Sequence, residues 1–162
     1  MTATLTPLFE RVDTQSVTTT LSLVHDQWME RTARLLAPAT QPRANFWERW
    51  GAVRFLCDQF AARFRLEREL AESLAPRLTP SSRARLAAAA AAVERTRGEF
   101  MAVGRRRGTA AEVALLARRL LDHTRRWCAA LEIATAGTLA EDLSEESRTL
   151  LGQLQMAAGL GL

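Results

Sequence analysis

Lysine and tyrosine do not occur in this 162-residue chain, and histidine and cysteine occur twice each. All 22 basic residues are therefore arginine. Together with abundant alanine, this usage reflects a GC-rich coding bias and needs no functional cause. The two cysteines, Cys57 and Cys128, form no CxxC pair and no Cys/His cluster. That spacing argues against a structural zinc site and a disulfide framework. Both fall beside apolar helical stripes, where a thiol acts as a small core group.

Long apolar runs are missing as well. No window approaches the roughly 18 uncharged apolar residues of a membrane span. The leading stretch MTATLTPLFERVD has neither the basic nor the apolar region of a secretory leader. The expectation is a cytoplasmic protein of bacterial type with no membrane partner. Eighteen acidic residues against 22 basic ones give a modest formal charge of +4. The arginines are spread along every helical segment, and the one dense run is Arg105-Arg106-Arg107. Nucleic-acid binding asks for a basic stripe with a reading element, and no such stripe is present.

What the chain does have is helical periodicity. A single domain is expected over 1–162, with 1–13 as a loose lead-in and 159–162 as a frayed tail. The spacing predicts a first helix over 14–37, with Val17, Leu21, Val24, Trp28 and Leu35 as its inner stripe. Pro38 ends it, and Pro42 keeps the linker non-helical. Asn45 caps a second helix over 45–75. Its stripe is Phe46, Trp50, Val53, Cys57, Phe60, Phe64, Ala71 and Leu74. Its charged residues, among them Arg63, Glu67, Arg68 and Glu72, read as a solvated outer face with i,i+4 pairing.

Thr79 and Pro80 open a third helix that stops at Gly104. Thr109 and Glu112 make a capping-box pattern for a fourth, which ends near Ala136 with Gly137 beyond it. A short fifth helix covers 144–158. No strand pattern appears. The expected fold class is all-α: an up-down-up-down four-helix bundle with a short fifth C-terminal helix. In that arrangement Cys57 and Cys128 are offset by about nine residues, ~13 Å at helical rise, too far for a disulfide.

The stripe of the fourth helix, Val113, Leu116, Leu120, Trp127, Leu131 and Ala134, contains one polar member, His123. His25 lies on or beside the stripe of the first helix. Both fall near mid-height of helices that are neighbours in an up-down bundle. The expectation is therefore that the two histidines share one layer and face each other.

The layout resembles hemerythrin-like (HHE cation-binding) bundles. His25 looks like the helix-one ligand of that family, and His123 followed by TRRWCAALEI looks like its helix-four segment. LAEDLSEESRTLLGQL is similar to the family's C-terminal stretch, and RLERELAESLAP resembles the end of its second helix. Val93-Glu94-Arg95 falls where the family has Glu-His. The resemblance implies metal ligands at His25 and His123. At the other positions it would assign to ligands, this chain has Leu66 and Leu70 in helix two, Arg95 in helix three and Trp127 in helix four. Leucine and tryptophan supply neither charge nor lone pairs, so a conventional di-iron centre is not expected.

Three functional readings follow. In the first, the bundle has lost its di-iron site, carries no cofactor and serves as a binding, interaction or regulatory module, with a protein partner or a second copy. The loop 104–108 and the fifth helix are its candidate contacts. In the second, His25 and His123 hold iron or haem, with water or Glu94 completing the shell. In the third, the chain is an enzyme. That reading lacks a constellation: Cys128 is rotated off the face of His123, and neither a Gly-rich phosphate loop nor HExxH occurs.

Overall fold

Capping chemistry sets where the helices begin. A computed structural model of the chain describes residues 16–41 and 43–159, apart from the side chain of Cys57. The expectations for 1–13, for the Cys57 side chain and for residues 160–162 of the tail lie outside those described residues. Helix α1 spans Val17–Leu36 and is followed by a 3-10 turn over Ala37–Thr40 that contains Pro38. Helix α2 covers residues 46–74. Asn45 caps it with a complete box: the Asn45 side chain accepts from the Glu48 N–H at 2.9 Å, and the Glu48 carboxylate accepts from the Asn45 N–H at 2.8 Å. Helix α3 is Pro80–Arg105, capped by Thr79. Helix α4 is Ala110–Ala134, and α5 is Glu145–Ala157, capped by Ser144. The described residues form no strand, only an isolated antiparallel bridge between Ser16 and Leu139. None of these helices is long and apolar enough to cross a membrane.

Three boundaries differ from the sequence pattern. Helix α3 does not stop at Gly104 but runs to Arg105, and the chain turns at Arg107, whose φ is 56°. Gly104 has a packing role instead. A Cβ there would collide with Cγ2 of Val53 on α2, so the missing side chain lets the two helices approach. At Thr109 only half of the capping box forms. Its hydroxyl accepts from the Glu112 N–H at 3.2 Å, while the Glu112 carboxylate turns to Arg106 at 3.3 Å. Helix α4 ends at Ala134, short of the expected Ala136, with Thr135 at its C-cap, so Gly137, with φ 81°, lies in the turn that follows rather than at C′.

Helix α4 is the central packing element, lying along both α3 and α1, while the second half of α2 packs on α5. The core joins Val17, Leu21, Val24 and Trp28 of α1 to Phe60, Phe64 and Leu70 of α2. Val93 and Phe100 of α3, Leu120, Trp127 and Leu131 of α4, and Leu151 and Leu154 of α5 complete it. A file of aromatic rings, Trp28–Phe60–Phe64–Trp127, crosses this core with successive centroids 5.4, 6.2 and 5.4 Å apart.

Several stripe assignments shift. Phe46 and Trp50 are exposed, Leu36 rather than Leu35 is buried at the end of α1, and Thr124 rather than His123 takes the inward place on α4. The larger change is in α2. Leu56–Phe60 forms a π turn between the α-helical runs Phe46–Phe55 and Ala61–Leu74. In the second run Arg63 and Glu67 are buried, not on the solvated face that their charges suggested. Glu67 follows Phe60 by seven residues and Phe64 by three, so its position lies on the inward stripe.

The glycines provide a test of this packing. Gly104→Ala is expected to destabilise the fold by about 1–3 kcal/mol through overpacking against the stiff Val53 side chain. Gly98→Ala, at an exposed mid-helix site with nothing nearby, is expected to stabilise it by about 0.5–1 kcal/mol. Urea unfolding of the two variants measures both signs.

Candidate functional site

The polar centre of the core is built around Glu67. Its carboxylate is fully buried, and burial without compensation would cost several kcal/mol, about the penalty of an unpaired charge in a protein interior. Compensation comes from α1. The Nε2 of His25 lies 3.1 Å from both carboxylate oxygens of Glu67. The Nδ1 of the same ring lies 3.0 Å from Oε2 of Glu132 on α4. Thus one imidazole joins α1, α2 and α4.

Electrostatics fixes the state of that ring. Burial by itself disfavours the charged imidazole. The adjacent Glu67 charge overrides it, helped by contacts with the Cys128 thiol and hydrogen bonds with Glu132 and Glu67. The pKa of His25 is pushed up to about 12. His25 is therefore an imidazolium with both N–H groups donating. Glu132 is held below the usual carboxylate range, first by its hydrogen bond from His25, against an opposing effect of burial.

Arg63 is the second cation of the cluster. Its Nε lies 3.7 Å from Oε1 of Glu67, and its guanidinium carbon lies 5.3 Å from the centroid of the Trp28 ring. Two buried cations thus stand against two carboxylates. Burial lowers the Arg63 pKa and the Glu67 charge opposes that fall. Neither Nε nor Nη2 of Arg63 has a hydrogen-bond partner among the described residues.

The cluster also contains Cys128, whose thiol sits beside His25. A cysteine next to a histidine and a carboxylate has the composition of a nucleophilic triad. The chemistry does not follow here. Burial raises the thiol pKa, and both ring nitrogens of His25 already carry protons donated to carboxylates. No nitrogen lone pair is left to take the thiol proton.

The residues singled out from sequence are not brought together. His25 is at the centre, but His123 is half-buried and is not hydrogen-bonded to it. The facing of α4 explains the separation. The Val17 N–H donates to the Thr138 carbonyl at 3.0 Å in the turn after α4, and the Thr18 hydroxyl donates to the Glu132 carbonyl at 3.1 Å and lies 3.3 Å from the Thr135 hydroxyl. Seven residues on, His25 comes level with the turn of α4 that carries Cys128 and meets Glu132 through that residue's long side chain. His123 is at most about five residues, ~8 Å of helix rise, from that level, but Thr124 takes the inward place beside it.

Of the other positions, Leu70 and Trp127 are buried, Leu66 is half-buried and Arg95 is exposed. Glu94, expected to complete a metal shell, pairs instead with Arg97 at 2.8 Å and Arg68 at 4.0 Å. Among the described residues no group of three or more His, Cys, Asp or Glu side chains is arranged to hold a metal ion. The sequence reading missed Glu67, Glu132 and Arg63. The stripe spacing of Glu67 carried the signal for one of them.

The cluster yields two expectations. His25→Leu removes the cation facing Glu67 and is expected to cost about 3–5 kcal/mol. In a double-mutant cycle with Glu67→Gln the two losses are expected to be non-additive by about 0.5–3 kcal/mol, and additive losses would refute direct coupling. The second concerns pH. His25 has a raised folded pKa, so its contribution is complete below its ordinary value of 6.5 and is lost as pH rises through about 12. Glu132 has a depressed one, so its contribution is complete above 4.5 and is lost as pH falls. Stability is expected to peak between those two values and decline steadily above pH 7. With no lysine or tyrosine to titrate there, the decline is expected to become shallower in His25→Leu, the remainder above the ordinary thiol value of 9.0 belonging to Cys128, whose pKa burial also raises. Urea midpoints measured from pH 4 to pH 10, with roughly one-unit spacing, read this out.

No family model matches the chain, and no curated protein or solved structure is significantly similar to it.

Proposed function

We propose that the chain is an up-down-up-down four-helix bundle of hemerythrin-like layout that has no conventional di-iron centre and works as a binding module. The bundle arrangement is supported by the antiparallel seating of α1 against α4, the packing of α4 along α3, and the short connections between successive helices. The observation that carries the functional reading is the directionality of His25. Metal ligation needs lone pairs converging on one point. Here the two ring nitrogens are directed to two separate carboxylates, from α2 and from α4, and the raised pKa of the ring makes both of them donors. Leu70 and Trp127 fill core positions without offering ligand atoms. The cluster acts as an internal ionic tie that fixes three helices and leaves the outer grooves to make contacts. The haem alternative draws no support from His25 and His123, because both ring nitrogens of His25 face carboxylates and Thr124 rather than His123 takes the inward place on α4.

Ferrous iron loading under anaerobic conditions, followed by desalting and elemental analysis, tests this. The expected result is far less than one iron per chain, unchanged in His25→Ala. Two irons per chain, lost in His25→Ala, would overturn it.

A further inference from the structure

Three exposed aromatic rings stand together at the start of α2. Trp47 is 74% exposed, and Phe46 and Trp50 are 40% and 41% exposed. Phe46 and Trp47 lie edge to face with centroids 5.3 Å apart. The planes of Phe46 and Trp50 are 7° from parallel, with centroids 6.5 Å apart. The guanidinium carbon of Arg107, in the turn between α3 and α4, lies 5.7 Å from the centroid of Phe46. Trp28, Phe60, Phe64, Phe100 and Trp127 are buried, so the exposure of these three rings is confined to one place. A contiguous exposed apolar patch of this kind marks an interaction site more often than chance placement does.

The fold gathers charge at the same place. The close approach of Gly104 to Val53 and the seating of Arg107 on Phe46 bring residues 104–112 against residues 43–54. These two segments hold six arginines, Arg43, Arg49, Arg54, Arg105, Arg106 and Arg107, and two acids, Glu48 and Glu112. Their net charge of +4 equals the formal charge of the whole chain, so the remaining residues balance to zero. Both acids are engaged, Glu48 in the Asn45 cap and Glu112 with Arg106 at 3.3 Å. Arg43, Arg54, Arg105 and Arg107 are exposed and have no carboxylate partner among the described residues. No basic stripe is visible along the chain because the two arginine groups are far apart in sequence, and only the packing of α2 on α3 joins them.

The chemistry of the patch selects among partners. A second copy of the chain would set one +4 surface against another, which like-charge repulsion opposes. A bilayer would meet the arginines, but the exposed large apolar side chains of these segments are rings alone, with no aliphatic group to enter the acyl layer. A single-stranded nucleic acid supplies anions and flat apolar faces in one chain. Its phosphates pair with guanidinium groups, and its unpaired bases stack on aromatic rings. We propose that the surface formed by Phe46, Trp47, Trp50 and the arginines around them binds single-stranded nucleic acid without sequence selection. Bases stack on Trp47 and Trp50, and phosphates pair with Arg54, Arg105 and Arg107. This names a partner class for the binding-module reading above and rests on it.

The test is fluorescence anisotropy of a labelled oligothymidylate of about twelve nucleotides titrated with the full chain, with tryptophan emission read in parallel. Binding is expected at micromolar protein and about 50 mM salt, with emission quenched by stacking on Trp47 and Trp50. Raising the salt to about 200 mM is expected to weaken it roughly ten- to a hundredfold, as neutralising about three to five phosphates requires. Trp47→Ala, at an exposed site outside the core, is expected to weaken binding about five- to a hundredfold and to leave the salt dependence unchanged. Arg105→Gln is expected to weaken binding and to lower the slope of log affinity against log salt by about 0.7. Arg83→Gln, at an exposed site at the start of α3, is expected to leave both near the parent values. A duplex of the same length, polyglutamate and phosphatidylglycerol vesicles are the competitors, each expected to compete at least roughly fivefold less well. Equal competition by any of the three, binding unaffected by Trp47→Ala, or no oligonucleotide binding would each overturn the proposal. Iron analysis separates the two readings: two irons per chain with oligonucleotide binding intact overturns the reading without a di-iron centre alone, and no oligonucleotide binding in an iron-free chain overturns this one alone.

Discussion

The structure depends on the buried charge of Glu67. A fully enclosed carboxylate in a helical core must be met by a cation or the fold loses several kcal/mol, on the order of the whole stability of a small domain. His25 meets it and, through its second nitrogen, engages Glu132, so the compensation ties α1 to α2 and α4 at once. Each partner has alternatives that fail. If the ring shed a proton, one carboxylate would lose its donor. If Glu67 turned outward, His25 and Arg63 would be two adjacent cations in an apolar surrounding. The cluster is specific because every rearrangement leaves a charge exposed to the low dielectric of the core.

Around it the aromatic rings do two things. Trp28, Phe60, Phe64 and Trp127 supply the bulk that excludes water, which strengthens the ionic contacts they surround. Trp28 also presents its ring to Arg63, which holds the guanidinium near Glu67 without giving it an acceptor. The π turn at Leu56–Phe60 lies just before this region of α2, a common location for such turns near special side chains.

The sequence and the tertiary structure determined different things. Helix number, order and approximate limits were legible in the sequence, because capping residues such as Asn45, Thr79 and Thr109, the proline at 38 and the apolar period act locally. Arg63 and Glu67 were misread because exposure was inferred from charge, although the spacing from Phe60 and Phe64 already placed Glu67 inward. His123 was misread by one position, since Thr124 can satisfy its own hydroxyl on the Leu120 carbonyl at 2.7 Å and so occupies the core without a distant partner. Only the folded arrangement could decide who meets His25. That depends on the axial register of α1 against α4, set by the contact of Val17 with Thr138, and a shift of a few residues along a helix is invisible to a periodic pattern. Local sequence fixes which face of each helix turns inward; the register between helices, decided by contacts far apart in the chain, fixes which side chains become a site.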